Sequence, residues 1–176
     1  MTNSDFLEDA FLGLSFAIKL WNYMLNGQIK KEEFDIDLTV VDGKSIVPLL
    51  GNQFNTTEDL IIATEHMMSI SFGVAANILW ECVNEKGVYS AANLSEHLTT
   101  QEQKLAGFTY MLRCCFAHGP AIPKWMMCKK YQIQYKVGNK IIDLSQLNNK
   151  IFQYEDIGGF DTLWILKSEM HFLNMI

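Results

Sequence analysis

Met67-Met68-Ser69-Ile70-Ser71-Phe72-Gly73-Val74-Ala75-Ala76-Asn77-Ile78-Leu79-Trp80 is the longest stretch of this chain that reads as helical and carries no charge. It is apolar or small on every side of a helix. Thr56 or Thr57, followed by Glu58 and Asp59, offers the N-cap, and the helix is expected to run to about Glu85 with Gly87 just beyond. A helix without a polar face is normally the central member of a bundle, covered by neighbours all round. Fourteen residues fall short of the roughly 20 needed to cross a bilayer, so a buried core helix is the better reading.

Working outward, the N-terminal segment has Ser4 as a candidate cap and acids at Asp5, Glu8 and Asp9. Apolar residues follow at Leu7, Phe11, Leu14, Ile18, Trp21 and Leu25, before Gly27. That spacing predicts an amphipathic helix with Lys19, Asn22 and Asn26 toward water. Between it and the central helix, Phe34, Ile36, Leu38 and Val40 alternate with polar residues up to Asp42-Gly43, which suggests a small hairpin over about 34–47; an irregular loop is the alternative.

On the other side, Thr99 with Glu102 and Thr100 with Gln103 form two overlapping capping boxes. The helix they open should bury Leu105, Phe108, Leu112 and Cys115 and finish at His118-Gly119, because Pro120 disfavours the helical conformation in the residue before it. Ala121 to Trp125 reads as an exposed connection. Lys130 to Val137 alternates, Gly138-Asn139 turns, and a second hairpin is expected over about 130–144. A last helix follows Gly158-Gly159, with Phe160, Leu163, Leu166, Met170 and Leu173 toward the core. The predicted fold is all-α, a four-helix up-and-down bundle with one or two small hairpins, in a single domain over 1–176.

With 49% hydrophobic and 19% charged residues, three prolines and no biased tract, the composition is that of a globular chain. The acidic start and the absence of a spanning run point to a cytoplasmic protein without a membrane segment. Cys82, Cys114, Cys115 and Cys128 follow no metal-binding or redox spacing, so reduced thiols and no structural metal are expected.

The net charge of -6 argues against nonspecific nucleic-acid binding, but its distribution does not. From Gln103 to Ile142 there is no acidic residue, while seven basic ones fall there: Lys104, Arg113, Lys124, Lys129, Lys130, Lys136 and Lys140. Aromatic residues are interleaved with them, a combination that suits an anionic, base-bearing ligand, with Lys124, Trp125, Lys129 and Lys130 as candidate nucleic-acid contacts. Arg113 is the only arginine beside thirteen lysines. A lone guanidinium hints at a need for the planar fork that grips phosphate through two parallel hydrogen bonds. Arg113 lies about 100° from the buried stripe of its helix, so its stem can pack while its head reaches the bundle edge.

Arg113, four intervening residues and His118, at the end of a helix in a four-helix bundle, resemble the R-x4-6-H signature of the HEPN superfamily. The resemblance covers Arg113 to Gly119 and otherwise rests on architecture. It implies a metal-independent endoribonuclease or an RNA-binding module without cofactor. Such proteins are commonly homodimers, and some are toxins neutralised by a nucleotidyltransferase-type antitoxin. Carried over, His118 would be the general acid/base on the ribose hydroxyl, and Arg113 would stabilise charge on the scissile phosphate. The chain departs from the usual pattern at Cys114, where many active members place a polar residue such as Asn. Two other readings stay open. Both residues suit a structural role at a helix C-terminus, and a non-catalytic dimeric module would bind RNA, a nucleotide or a protein through the same basic cleft.

Overall fold

The computed structural model describes residues 3–42, 45–87, 89–90, 94, 98–117 and 119–176. Helix accounts for 56% of it, so the protein is mostly helical, with two small antiparallel hairpins. In chain order the described elements are α1 (Asn3–Leu25), α2 (Lys31–Phe34), β1 (Leu38–Asp42), β2 (Ser45–Leu49), α3 (Thr57–Glu85), α4 (Gln101–Ala117), β3 (Gln134–Val137), β4 (Lys140–Asp143) and α5 (Thr162–Phe172). Each hairpin is a separate two-stranded sheet.

The periodicity of α1 buries Leu7, Phe11, Leu14 and Ala17. At its C-terminal end the stripe drifts by one position, so Met24 is buried and Leu25, expected inside, is exposed. The helix packs along α3, and α5 meets it edge-on through Phe11 against Trp164 at 5.4 Å. Ser4 lies inside the first turn rather than at the cap, since helical backbone begins at Asn3.

Thr56 caps α3. Its hydroxyl accepts the Asp59 N–H at 3.1 Å, and the Asp59 carboxylate accepts the Thr56 N–H at 2.9 Å, which satisfies two of the N–H groups a helix start leaves over. At the centre of the core, Phe72 is fully buried with its ring 5.3 Å from Phe116, 5.4 Å from Tyr154 and 5.9 Å from Phe152. Burial of one such side chain stabilises the fold by roughly 1.5–3 kcal/mol. The expectation that α3 is covered all round is corrected. Ile62, Ile70 and Val74 remain 42–47% exposed, because α1 and α4 cover two flanks of the helix and leave this stripe bare.

Gln103 sets the start of α4. Its side-chain oxygen accepts the N–H of Thr99 and of Thr100, while the Thr100 hydroxyl accepts the Gln103 N–H, so the second of the two predicted boxes forms. Beyond α4 the chain folds back on itself. The Trp125 N–H donates to the Lys150 carbonyl, the Asn149 N–H to the Trp125 carbonyl and the Phe152 N–H to the Pro123 carbonyl. This pairing carries Trp125 to 0% exposure, which corrects the reading of that residue as surface.

The second hairpin is shorter than predicted, and the first is displaced toward the C-terminus, running to Leu49. The second starts at Gln134, because Lys129–Tyr131 forms a 3-10 turn, and the first starts at Leu38, because Phe34 closes the one-turn α2. Tyr135, Val137, Ile142 and Leu144 bury the second hairpin against α4 and α5. Nothing in β1 or β2 with a described side chain is buried. No helix among the described residues is long and apolar enough to cross a membrane.

Candidate functional site

Leu105, Phe108, Leu112, Cys115 and Phe116 hold α4 in the core and thereby fix where Arg113 points. Its side chain is half-buried and lines a groove of about 380 Å³ between α3 and α4, shared with Ile70, Val74, Ile78, Phe116 and Pro120. Gly73 brings the helices together there. A Cβ at that position would sit 2.9 Å from the Phe116 Cβ, tighter than packed atoms accept. The Ser69 hydroxyl, which donates to the Pro120 carbonyl at 2.7 Å, ties the chain after α4 onto α3 and closes one end of the groove.

The Arg113 Nε is buried and has no hydrogen-bond partner. Among the described residues no carboxylate lies within ion-pair distance of the guanidinium. Leaving a buried donor unmade is costly, so a free arginine in an apolar groove wants an external acceptor. Tyr110 and Cys114 are its neighbours. The Tyr110 hydroxyl is pushed above its ordinary 10.0, first by burial and then by its hydrogen bond with the Cys114 thiol, while the Arg113 charge pulls it back down. His118 lies outside the described residues.

The four candidate nucleic-acid contacts separate. Lys124 is exposed and lines a cleft of about 230 Å³ with Cys114, Cys115, Gly119, Ile122 and Met126, at the same end of α4 as Arg113. Lys129 is exposed. Lys130 is half-buried and engaged: its ammonium donates to the Leu94 carbonyl at 3.3 Å and stands 4.9 Å from the centre of the Tyr131 ring. Trp125 is withdrawn from the set. Its indole N–H donates to Asp156 and its ring lies 5.4 Å from Phe152, so no face remains for a base to stack on.

Sequence reasoning placed Arg113 at a helix edge but missed the α3 side of the groove. The only signal for it was Ile70, Val74 and Ile78 at four-residue spacing beside Gly73, indistinguishable in sequence from core. Among the described residues no cluster of three or more His, Cys, Asp or Glu side chains is arranged to hold a metal ion. Comparison with protein-family models, with characterised proteins and with solved structures finds no match to this chain.

Proposed function

We propose that this protein is a HEPN-like, RNA-directed protein in which α1, α3, α4 and α5 act as the four-helix bundle and Arg113 receives a backbone phosphate. One observation carries the reading. The single arginine of the chain stands in an open groove with a buried Nε unmet and, among the described residues, no carboxylate to neutralise it. In the catalytic form of the proposal, His118 takes the proton of a ribose 2'-OH and the resulting oxyanion attacks the adjacent phosphorus. The 5'-oxygen leaves, taking a proton from solvent water while His118 returns the 2'-OH proton to solvent, and a 2',3'-cyclic phosphate remains. Arg113 holds two phosphate oxygens through its fork as charge builds on them. Pairing of two copies, a cytoplasmic location and a nucleotidyltransferase-type antitoxin partner belong to the same proposal.

The apolar lining of the groove favours a second reading, a non-catalytic module that seats a helix of a protein partner over Ile70, Val74 and Phe116 with Arg113 at its rim. Cleavage of a panel of single-stranded RNAs separates the two. The nuclease reading expects activity in a metal chelator that falls sharply in His118→Ala and nearly as far in Arg113→Lys, because lysine keeps the charge and loses the fork. Cys114→Asn should raise it. No cleavage by the wild type or by Cys114→Asn leaves the binding module. Arg113→Gln should change stability by less than about 1 kcal/mol, since no ion pair is broken, so lost activity would not be lost fold.

A further inference from the structure

The first hairpin has no core of its own, yet its base is built with care. The Asp35 carboxylate accepts the N–H of Gln53 at 3.0 Å and of Phe54 at 2.9 Å, its carbonyl accepts the Asn52 N–H at 3.2 Å, and the Asp37 carboxylate accepts the Gly51 N–H at 2.6 Å. The segments before and after the hairpin touch backbone to backbone. A Cβ on Gly51 would fall 2.7 Å from the Ile36 carbonyl carbon. What these ties hold open is an apolar cup of about 660 Å³ walled by Phe34, Ile36, Leu38, Leu49, Leu50 and Phe54. Most of these walls face water, with Leu50 69% exposed, and on the hairpin itself Val41 is 68% and Ile46 70% exposed. A lone two-stranded hairpin is marginal in water, and apolar surface on this scale marks an interaction site.

The two edges of the hairpin differ. Counted from the closing pair Asp42↔Ser45, hydrogen-bonded pairs recur at Val40↔Val47 and Leu38↔Leu49, so the N–H and C=O groups of Thr39 and Val41 point away from β2. On β2 the outward positions are Ile46 and Pro48, and Pro48 has no N–H to give. The β2 edge is blunted and the β1 edge is open. Among the described residues the charged lining of the cup is Glu33 and Asp35; the Asp35 carboxylate is held inward, 4.0 Å from the Lys31 ammonium, so the acidic rim is made by the exposed Glu32, Glu33 and Asp37.

From these features we infer that the β1 edge and its cup receive an extended strand of a protein partner, apolar at alternate positions and flanked by Lys or Arg. Backbone pairing on Thr39 and Val41 supplies register, the cup takes the side chains of one face, and the acidic rim selects cationic flanks. The same rim disfavours a second copy, which would bring Glu32, Glu33 and Asp37 against their own kind, and an anionic lipid surface. Because the base is already held by the bonds of the Asp35 and Asp37 carboxylates to the backbone, little order is lost on occupation. The site shares no residue with the Arg113 groove and does not depend on how that groove is read.

A labelled peptide of three valines alternating with threonines and closed by lysine at both ends is the probe, with the glutamate-closed peptide as its control. Fluorescence anisotropy should show the lysine peptide binding about tenfold or more tightly than the control, and amide resonances of Thr39 and Val41 should move on titration. Thr39→Pro, which removes an outward N–H, should abolish binding. Leu49→Lys, at an exposed side chain that leaves the backbone alone, should reverse the preference between the two peptides while circular dichroism stays unchanged. Equal affinity for both peptides, or none for either, overturns the proposal. So does saturable binding to phosphatidylcholine vesicles that displaces the peptide, or a dimer in light scattering that Leu49→Lys dissolves.

Discussion

The indole N–H of Trp125 donates to the carboxylate of Asp156 at 2.8 Å, and the same carboxylate accepts the backbone N–H of Gln153 at 2.9 Å. One acid therefore satisfies a buried ring and caps the 3-10 turn Tyr154–Ile157. Asp156→Ala should cost about 1–3 kcal/mol in urea unfolding, because the indole donor is left buried without an acceptor, and Asp156→Asn, which keeps one, should cost less. A neutral Asp156→Ala would mean that water reaches the ring.

Two helix-facing glycines should differ in their tolerance of an added methyl. At Gly73 an added methyl meets the Cβ of Phe116, which cannot move without its backbone, so Gly73→Ala should destabilise by about 1–3 kcal/mol despite better helix propensity. At Gly107 the first atom met is the Leu98 Cδ1 at 2.6 Å, the far end of a flexible side chain. Gly107→Ala should be close to neutral in the same denaturation series.

Acid should loosen the base of the first hairpin at a pH lower than an ordinary carboxylate would give. Burial by itself would raise the Asp35 carboxyl, but the N–H groups of Phe54 and Gln53, with the Lys31 ammonium, more than offset it and hold it below 3.8. Its contribution to stability is therefore full above the unfolded value and lost as pH falls through the folded one. The Gln53 and Phe54 amide resonances should titrate with a midpoint under 3.8, and Asp35→Asn should abolish that titration. A midpoint at or above 3.8 would contradict the assignment.

Thiol reactivity should rank the cysteines by exposure. Burial pushes the Cys115 thiol far above its ordinary 9.0, with the Asp156 charge adding to it, and burial followed by the Glu85 charge raises Cys82. Cys128 is exposed. A disulfide reagent on the native protein should modify Cys128 first and reach Cys115 only in denaturant. Early labelling of Cys115 would show that the α4 packing opens readily.

What the sequence made legible was local. The alternating four-and-three spacing of α1, the cap offered by Thr56 or Thr57 at the start of α3 and the alternation ending at Gly138 each lie within a few residues, and each led to an element of the expected type. The one-turn α2 has no period to read. Trp125 was misplaced because its burial comes from pairing with Asn149, Lys150 and Phe152, some two dozen residues on, while its own surroundings, just after Pro120 and Pro123, look like a loop. The bare stripe of α3 is hidden for a similar reason, since composition gives an apolar helix but not the side on which a neighbour is missing. Arg113 was readable as an edge residue from its angle to the buried stripe, whereas its groove depends on the register between α3 and α4, which no local pattern encodes.

Lys140 of β4 donates to the Gly158 carbonyl at 2.7 Å, to the Asp161 carboxylate at 2.6 Å and to the Thr162 hydroxyl at 3.0 Å, so one ammonium fastens the second hairpin to the start of α5. With Asp161 largely exposed, the ion pair itself is worth only about 0–1 kcal/mol. Its weight is in cooperativity. The hairpin cannot peel away without freeing the first turn of α5, so in hydrogen exchange the amides of β3, β4 and that turn should share one opening free energy. The strands β1 and β2, which among the described residues are fastened to no helix in this way, should exchange through a separate and cheaper opening.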